Sequence, residues 1–147
     1  MKIARYELLP EAELLARLKR TRLKGFGQPE VYRGAALEIL EQADTGVLTP
    51  AQRYVLKEGV TCMIELHEAF RPLGVDTFAL RGALLFWPEG ADPSAEPPIP
   101  LLPPVVEESR EPDGRTVLLI NDGIHRVYAA RKLGRRINVV LARNVPA

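Results

Sequence analysis

Residues 118–134 read LLINDGIHRVYAARKLG, an aliphatic run that passes through Asn-Asp-Gly into a helical repeat, with His125 and Arg126 at the change. Ile124, Val127, Ala130 and Leu133 recur at helical spacing, which predicts a helix over 123–133 with that face inward. Thr116 to Ile120 before it and Ile137 to Ala142 after it read as buried strands. The first turn of a helix has amides without intrahelical partners, and the macrodipole places roughly half a positive charge there, so an anion is the natural occupant. Gly123 leaves room for close approach. His125 and Arg126 fall off the inward face, toward solvent or a cleft, and add donors. The same residues also fit an ordinary turn: Asn121 or Asp122 as N-cap, Gly123 as a turn residue, and Asp122 with Arg126 as an i,i+4 pair of about 0.2–0.5 kcal/mol.

Toward the N-terminus, Val105-Val106 starts a short strand, and Pro112-Asp113-Gly114 makes the turn that leads into the next one. Seven of the 13 prolines lie between Pro88 and Pro104. Proline lacks an amide donor and fixes φ, so 88–104 is predicted to be a surface loop, the seam between two parts of one domain. From Val75 to Trp87 the aromatic and aliphatic residues read as strand. Residues 1–74 are expected to be helical. A first helix starts after Pro10 with Leu14, Leu15 and Leu18 as its stripe and stops at Gly25-Phe26-Gly27. A second runs from Pro29 through Val31, Ala35, Leu37 and Leu40 to Asp44-Thr45-Gly46. A third starts at the capping box Thr49-Pro50-Ala51-Gln52 and carries Leu56, Val60, Met63, His67 and Phe70 to Arg71-Pro72-Leu73-Gly74. The expected fold class is α+β: a helical N-terminal portion, 1–74, on a small mixed sheet with helices, 75–147, in a single domain.

At 147 residues, with 46% hydrophobic and 27% charged, the chain is long enough for one proper core. One cysteine, Cys62, excludes a disulfide framework and a multi-cysteine zinc module, and the expected compartment is the cytoplasm. The charged N-terminus does not read as a secretory signal, and no stretch approaches the ~20 apolar residues of a membrane span. The net charge of +1 hides an imbalance: residues 115–147 hold seven Lys/Arg against Asp122 alone, leaving the rest acidic. Either the C-terminal third faces an anion or the two parts attract each other.

Asp122-Gly123-Ile124-His125-Arg126, followed by Ala129, Ala130, Leu133-Gly134 and the strand Ile137-Asn138-Val139-Val140, resembles the core of the ParB/sulfiredoxin-like superfamily. The resemblance covers residues 104–145, with Pro104-Val105-Val106 as the preceding strand, and stops short of 1–74. It implies a turn that holds nucleotide phosphates, as CTP, ATP or ADP is held in members of that superfamily. On that resemblance Asp122, Gly123, Ile124, His125 and Arg126 form the phosphate site, and Asp122 would position Mg²⁺ or orient Arg126. Sulfiredoxin chemistry is excluded, because Ile124 stands where its cysteine would be. The sequence ends without the helix-turn-helix region that follows the motif in ParB proteins, which argues against DNA partitioning by that route.

Other signals are weaker. His67-Glu68 lacks the second histidine of a zinc-protease helix, since position 71 is Arg, so His67 is expected to be structural. Cys62 aligns with Val55 and Leu66 and is expected to pack in the core. Glu107 and Glu108, on adjacent strand positions, face opposite ways, so at most one can serve the turn as ligand or base. The leading expectation is binding of a nucleotide or other phosphorylated small molecule at the turn, with phosphotransfer or hydrolysis left open. The alternative is a non-catalytic module whose basic C-terminal third binds DNA or a protein. A homodimer fits either reading, and no membrane partner is expected.

Overall fold

The computed structural model describes residues 1–20, 32, 34–51 and 55–145. Eight strands and three helices are seen among them: β1 (Ile3–Leu9), α1 (Glu11–Lys19), β2 (Ala36–Ala43), β3 (Leu48–Pro50), α2 (Lys57–Phe70), β4 (Ala83–Pro88), β5 (Ile99–Leu101), β6 (Val105–Arg110), β7 (Thr116–Asp122), α3 (Ile124–Lys132) and β8 (Ile137–Arg143). The main sheet has the order β2-β8-β6-β7-β3, and a smaller one the order β1-β4-β5. β6 runs parallel to β8 and antiparallel to β7, while β3 is parallel to β7, so the larger sheet is mixed.

β8 explains why this sheet forms. INVVLA is apolar at nearly every position, a pattern that suits a strand covered on both faces. Val139 and Leu141 point into one cluster with Val106, Ile120, Val127 and Ala130. Val140 and Ala142 point into the opposite one with Leu14, Leu18, Tyr32 and Val105. α2 and α3 thus cover one face and α1 the other. Each fully buried aliphatic side chain contributes about 1.5–3 kcal/mol, so β8 anchors both halves of the core. The far side of α2, through Leu66 and Phe70, packs on Leu84, Phe86 and Leu101 of the small sheet.

The helical N-terminal portion expected over 1–74 is not what forms. Among the described residues that segment holds two α-helices, two single turns of 3-10 helix and three strands. Residues 36–43, expected to be helical, are β2, antiparallel to β8 with Ile39 opposite Val140. Ala35, Leu37 and Leu40 satisfy a helical spacing, but β8 needs a neighbour on its open edge, and pairing overrides a weak local preference. The capping box does not cap: Thr49 and Pro50 lie in β3 beside Leu119 and Ile120, and α2 starts at Lys57. Gln52, the Gly25-Phe26-Gly27 stop and the Pro29 start fall outside the described residues.

β1 is an element that the sequence did not announce. Its half-buried residues break step: the register with β4 shifts between Ile3 and Arg5, which puts Ile3 and Tyr6 against one cluster at a spacing of three, while Leu9 turns to the other. Such a bulge erases the period of two on which strand recognition depends. Strand β4 begins later than expected, since residues 76–82 form turns in which Asp76 accepts from the Phe78 amide at 3.0 Å. The proline-rich segment is not a plain linker. It contributes β5, antiparallel to β4, and the Glu96 carbonyl accepts from the Trp87 indole at 2.8 Å. No helix among the described residues is long and apolar enough to cross a membrane.

Candidate functional site

β7 delivers the chain to α3 through Gly123, whose φ of 87° is the left-handed conformation that only glycine adopts cheaply. A Cβ there would lie 2.6 Å from Arg126 Nη2 and 2.9 Å from Pro104. Gly123 is therefore required twice, by its dihedral angle and by the side chain folded over it. It is the N-cap of α3, and no side chain caps the helix. Among the described residues no side chain takes the opening amides, which a first turn leaves without intrahelical partners. Neither Asn121 nor Asp122 has the capping role open to it from sequence.

A cavity of about 280 Å³ opens at this turn, lined by Met63, Ile120, Asn121, Asp122, Gly123, Ile124, His125 and Arg126. All five residues expected from the motif are brought together. Ile124 contributes mainly to the floor, being 6% exposed and part of the core cluster. Met63 and Ile120, on α2 and β7, carried no polar signal that would have marked them.

Arg126 does not project freely toward solvent, as its helical position suggested. Its side chain is only 16% exposed, and Nη2 stands 3.9 Å from Asp122 Oδ2, an ion-pair distance without a hydrogen bond. Its Nε is buried with no hydrogen-bond partner among the described residues. Burial holds the guanidinium below its ordinary value and Asp122 pulls the other way; an arginine stays charged regardless. A buried cation whose donors are underused is costly, and an oxyanion in the cavity would remove that cost.

His125 is also placed differently from the expectation. Its ring lies flat on α2, so that a Cβ on Gly59 would sit 2.6 Å from Cδ2, and its Nε2 accepts from the Leu56 amide at 3.2 Å. Leu56 is the N-cap of α2. His125 therefore ties the start of one helix to the start of the other. Leu133, expected inward, is 39% exposed at the C-cap of α3, one residue past its last helical turn.

The remaining sequence candidates separate. His67 is structural, as expected: it is buried, its Nδ1 lies 2.8 Å from Thr77 Oγ1, and its ring stacks on Phe78 at 4.4 Å. Burial lowers its pKa below the ordinary 6.5, with Asp76 opposing. Cys62 is exposed on α2, contrary to the core role expected for it. Glu107 and Glu108 do part: Glu107 Oε2 accepts from Asn121 at 2.9 Å, and Glu108 Oε2 accepts from Arg143 at 3.2 Å. Among the described residues, no three His, Cys, Asp or Glu side chains gather as a metal site. The basic C-terminal third is largely turned inward on the protein's own acceptors. Arg135 pairs with Asp76, Arg143 with Glu38 at 2.7 Å, and Arg131 donates to the Thr45 carbonyl at 2.7 Å.

Comparison with protein-family models matches residues 13–147 to the ParB CE domain. The match extends over α1, β2 and α2, well beyond the 104–145 stretch in which the resemblance was legible. No curated protein matches the sequence.

Proposed function

The chain belongs to the ParB CE domain family, and from that membership and the geometry of the turn we propose that it binds a nucleotide or other phosphorylated small molecule at Asp122–Arg126. The observation that carries this reading is Arg126, buried over Gly123 with an unpartnered Nε beside a cavity that the opening of α3 also lines. A phosphoryl group there would accept from the guanidinium and from the free amides of the first turn. The cavity is at the small end for ligand pockets, so it seats the phosphoryl group and its nearest atoms while the remainder of a ligand extends outward. Mg²⁺ would be shared between Asp122 and the phosphate oxygens, since magnesium is commonly held by one or two carboxylates plus substrate. Phosphotransfer or hydrolysis would need that ion or a second carboxylate close to the phosphate.

The test is thermal unfolding with CTP, ATP, ADP and pyrophosphate, with and without Mg²⁺, on the wild type and on Arg126→Ala. Binding raises the unfolding temperature by mass action, so at least one of these compounds is expected to stabilise the wild type and to do so far less in Arg126→Ala. No shift with any of them would end this reading. A DNA gel shift at two salt concentrations addresses the other reading, since backbone-driven binding falls steeply with salt.

A further inference from the structure

β7 pairs with β6 through Val106 opposite Ile120 and Val105 opposite Asp122, which leaves Asn121 as an extra residue in the ladder. A bulge of this kind re-aims a side chain. Asn121 Nδ2 is held at 2.9 Å from Glu107 Oε2 and 3.4 Å from the Tyr32 hydroxyl. A carboxylate only accepts, so the amide nitrogen must face Glu107, and the orientation of the carboxamide is settled by chemistry. Its two N–H groups are taken by these partners. What Asn121 has left to offer is Oδ1, an acceptor with no partner among the described residues, on a residue that lines the cavity.

Tyr32 supports the arrangement from behind. It is 6% exposed, and burial raises its pKa, Asn121 opposing and Asp122 and Glu107 adding to the rise, so the phenol stays neutral. The cavity is therefore lined by unlike groups. Arg126 brings donors to the lining, while Asn121 brings an acceptor, Oδ1, whose partner nitrogen is already engaged by Glu107. A ligand made only of phosphoryl oxygens, which accept, suits Arg126 and leaves Asn121 Oδ1 without a donor.

We propose that Asn121, positioned by Glu107 and Tyr32, determines specificity by accepting a hydrogen bond from a hydroxyl or amino group of the ligand whose phosphoryl group lies on the α3 turn. The site then selects phosphate esters that carry such a donor over inorganic phosphates. This rests on the phosphate-binding reading above, which pyrophosphate alone can test.

The experiment is calorimetric titration of wild type, Asn121→Ala and Glu107→Gln with pyrophosphate, ribose 5-phosphate and CTP, each variant first shown by thermal unfolding to be folded. The wild type is expected to bind ribose 5-phosphate or CTP at least roughly tenfold more tightly than pyrophosphate, the scale of a hydrogen bond made in a partly desolvated site. Asn121→Ala should lower affinity for that preferred compound several-fold more than it lowers affinity for pyrophosphate. Glu107→Gln, which frees the carboxamide to turn over, should shrink the preference in the same direction. If pyrophosphate binds but the wild type shows no preference, or Asn121→Ala weakens all three probes equally, the role assigned to Asn121 is overturned and phosphate binding stands. If none of the three binds the wild type, both fall.

Discussion

Arg126 is the residue on which the proposed binding rests, and its burial sets a conflict between stability and that function. Replacing it with Met keeps the aliphatic stem and removes a buried cation whose Nε has no partner, while Asp122 stays exposed to water, an exchange that commonly costs little. Arg126→Met is therefore expected to unfold at a temperature close to that of the wild type while losing the ligand-induced shift. A large drop in its unfolding temperature without ligand would show that the guanidinium is structurally required. Gly123→Ala should be harmful in both respects. The left-handed φ costs about 1–2 kcal/mol for a side chain, and the new Cβ meets Arg126 and Pro104. Denaturant unfolding should show a loss of about 2 kcal/mol or more. Most of this site was legible before the fold was known, because Gly123, His125 and Arg126 lie in one contiguous turn. Met63 and Tyr32 were not, since 58 and 89 residues separate them from Asn121, and Glu107 was foreseen only as a ligand or base and not as the partner of Asn121.

Helices and strands divided along the same line. α3 and β8 were readable because their patterns agree with their neighbours' demands: a face of Ile124, Val127 and Ala130, and a strand apolar on both sides. β2 and the start of α2 were not, because both sequences carry a valid local helical signal that a long-range pairing overrules. Thr49→Ala makes the distinction measurable. A true N-cap loses about 1 kcal/mol on this change, whereas Thr49 in β3 is exposed and should lose no more than about 0.5 kcal/mol in denaturant unfolding. Gly59→Ala tests the link between the helices. The added methyl would displace the His125 ring and the bond from Leu56, so a spectroscopic probe of His125, such as its imidazole proton shifts, should move even though the residue changed is on α2.

For the molecule as a unit, the uneven charge found along the chain is explained by attraction between its parts. Arg135 reaches Asp76 and Arg143 reaches Glu38, each linking the basic C-terminal third to the acidic remainder. Both pairs are partly exposed, so each is worth at most about 1 kcal/mol and is screened by salt. Raising NaCl from about 0.05 M to about 0.5 M should lower the unfolding temperature by a few degrees at most. Stability should also fall on acidification through His67. Its pKa is lowered in the folded state, so the unfolded chain binds the proton more readily. The contribution is complete above 6.5 and is lost as pH falls below it toward the folded value. His67→Gln, which can still bond Thr77, should flatten the decline in unfolding temperature between pH 7 and pH 5.

Taken alone, the amino-acid order was enough for the α3 turn, the strands flanking it and the family resemblance of the C-terminal part. Each of these is encoded by neighbouring residues whose spacing and chemistry act locally. Folding in three dimensions settled what neighbours cannot: that residues 36–43 are a strand, that Arg126 is folded inward over Gly123 instead of reaching outward, and that Glu107 and Tyr32 stand behind Asn121. The physical reason is common to all three. Burial and strand pairing join residues far apart in the chain, and where their free energy exceeds a local preference of a fraction of a kcal/mol per residue, the distant partner prevails.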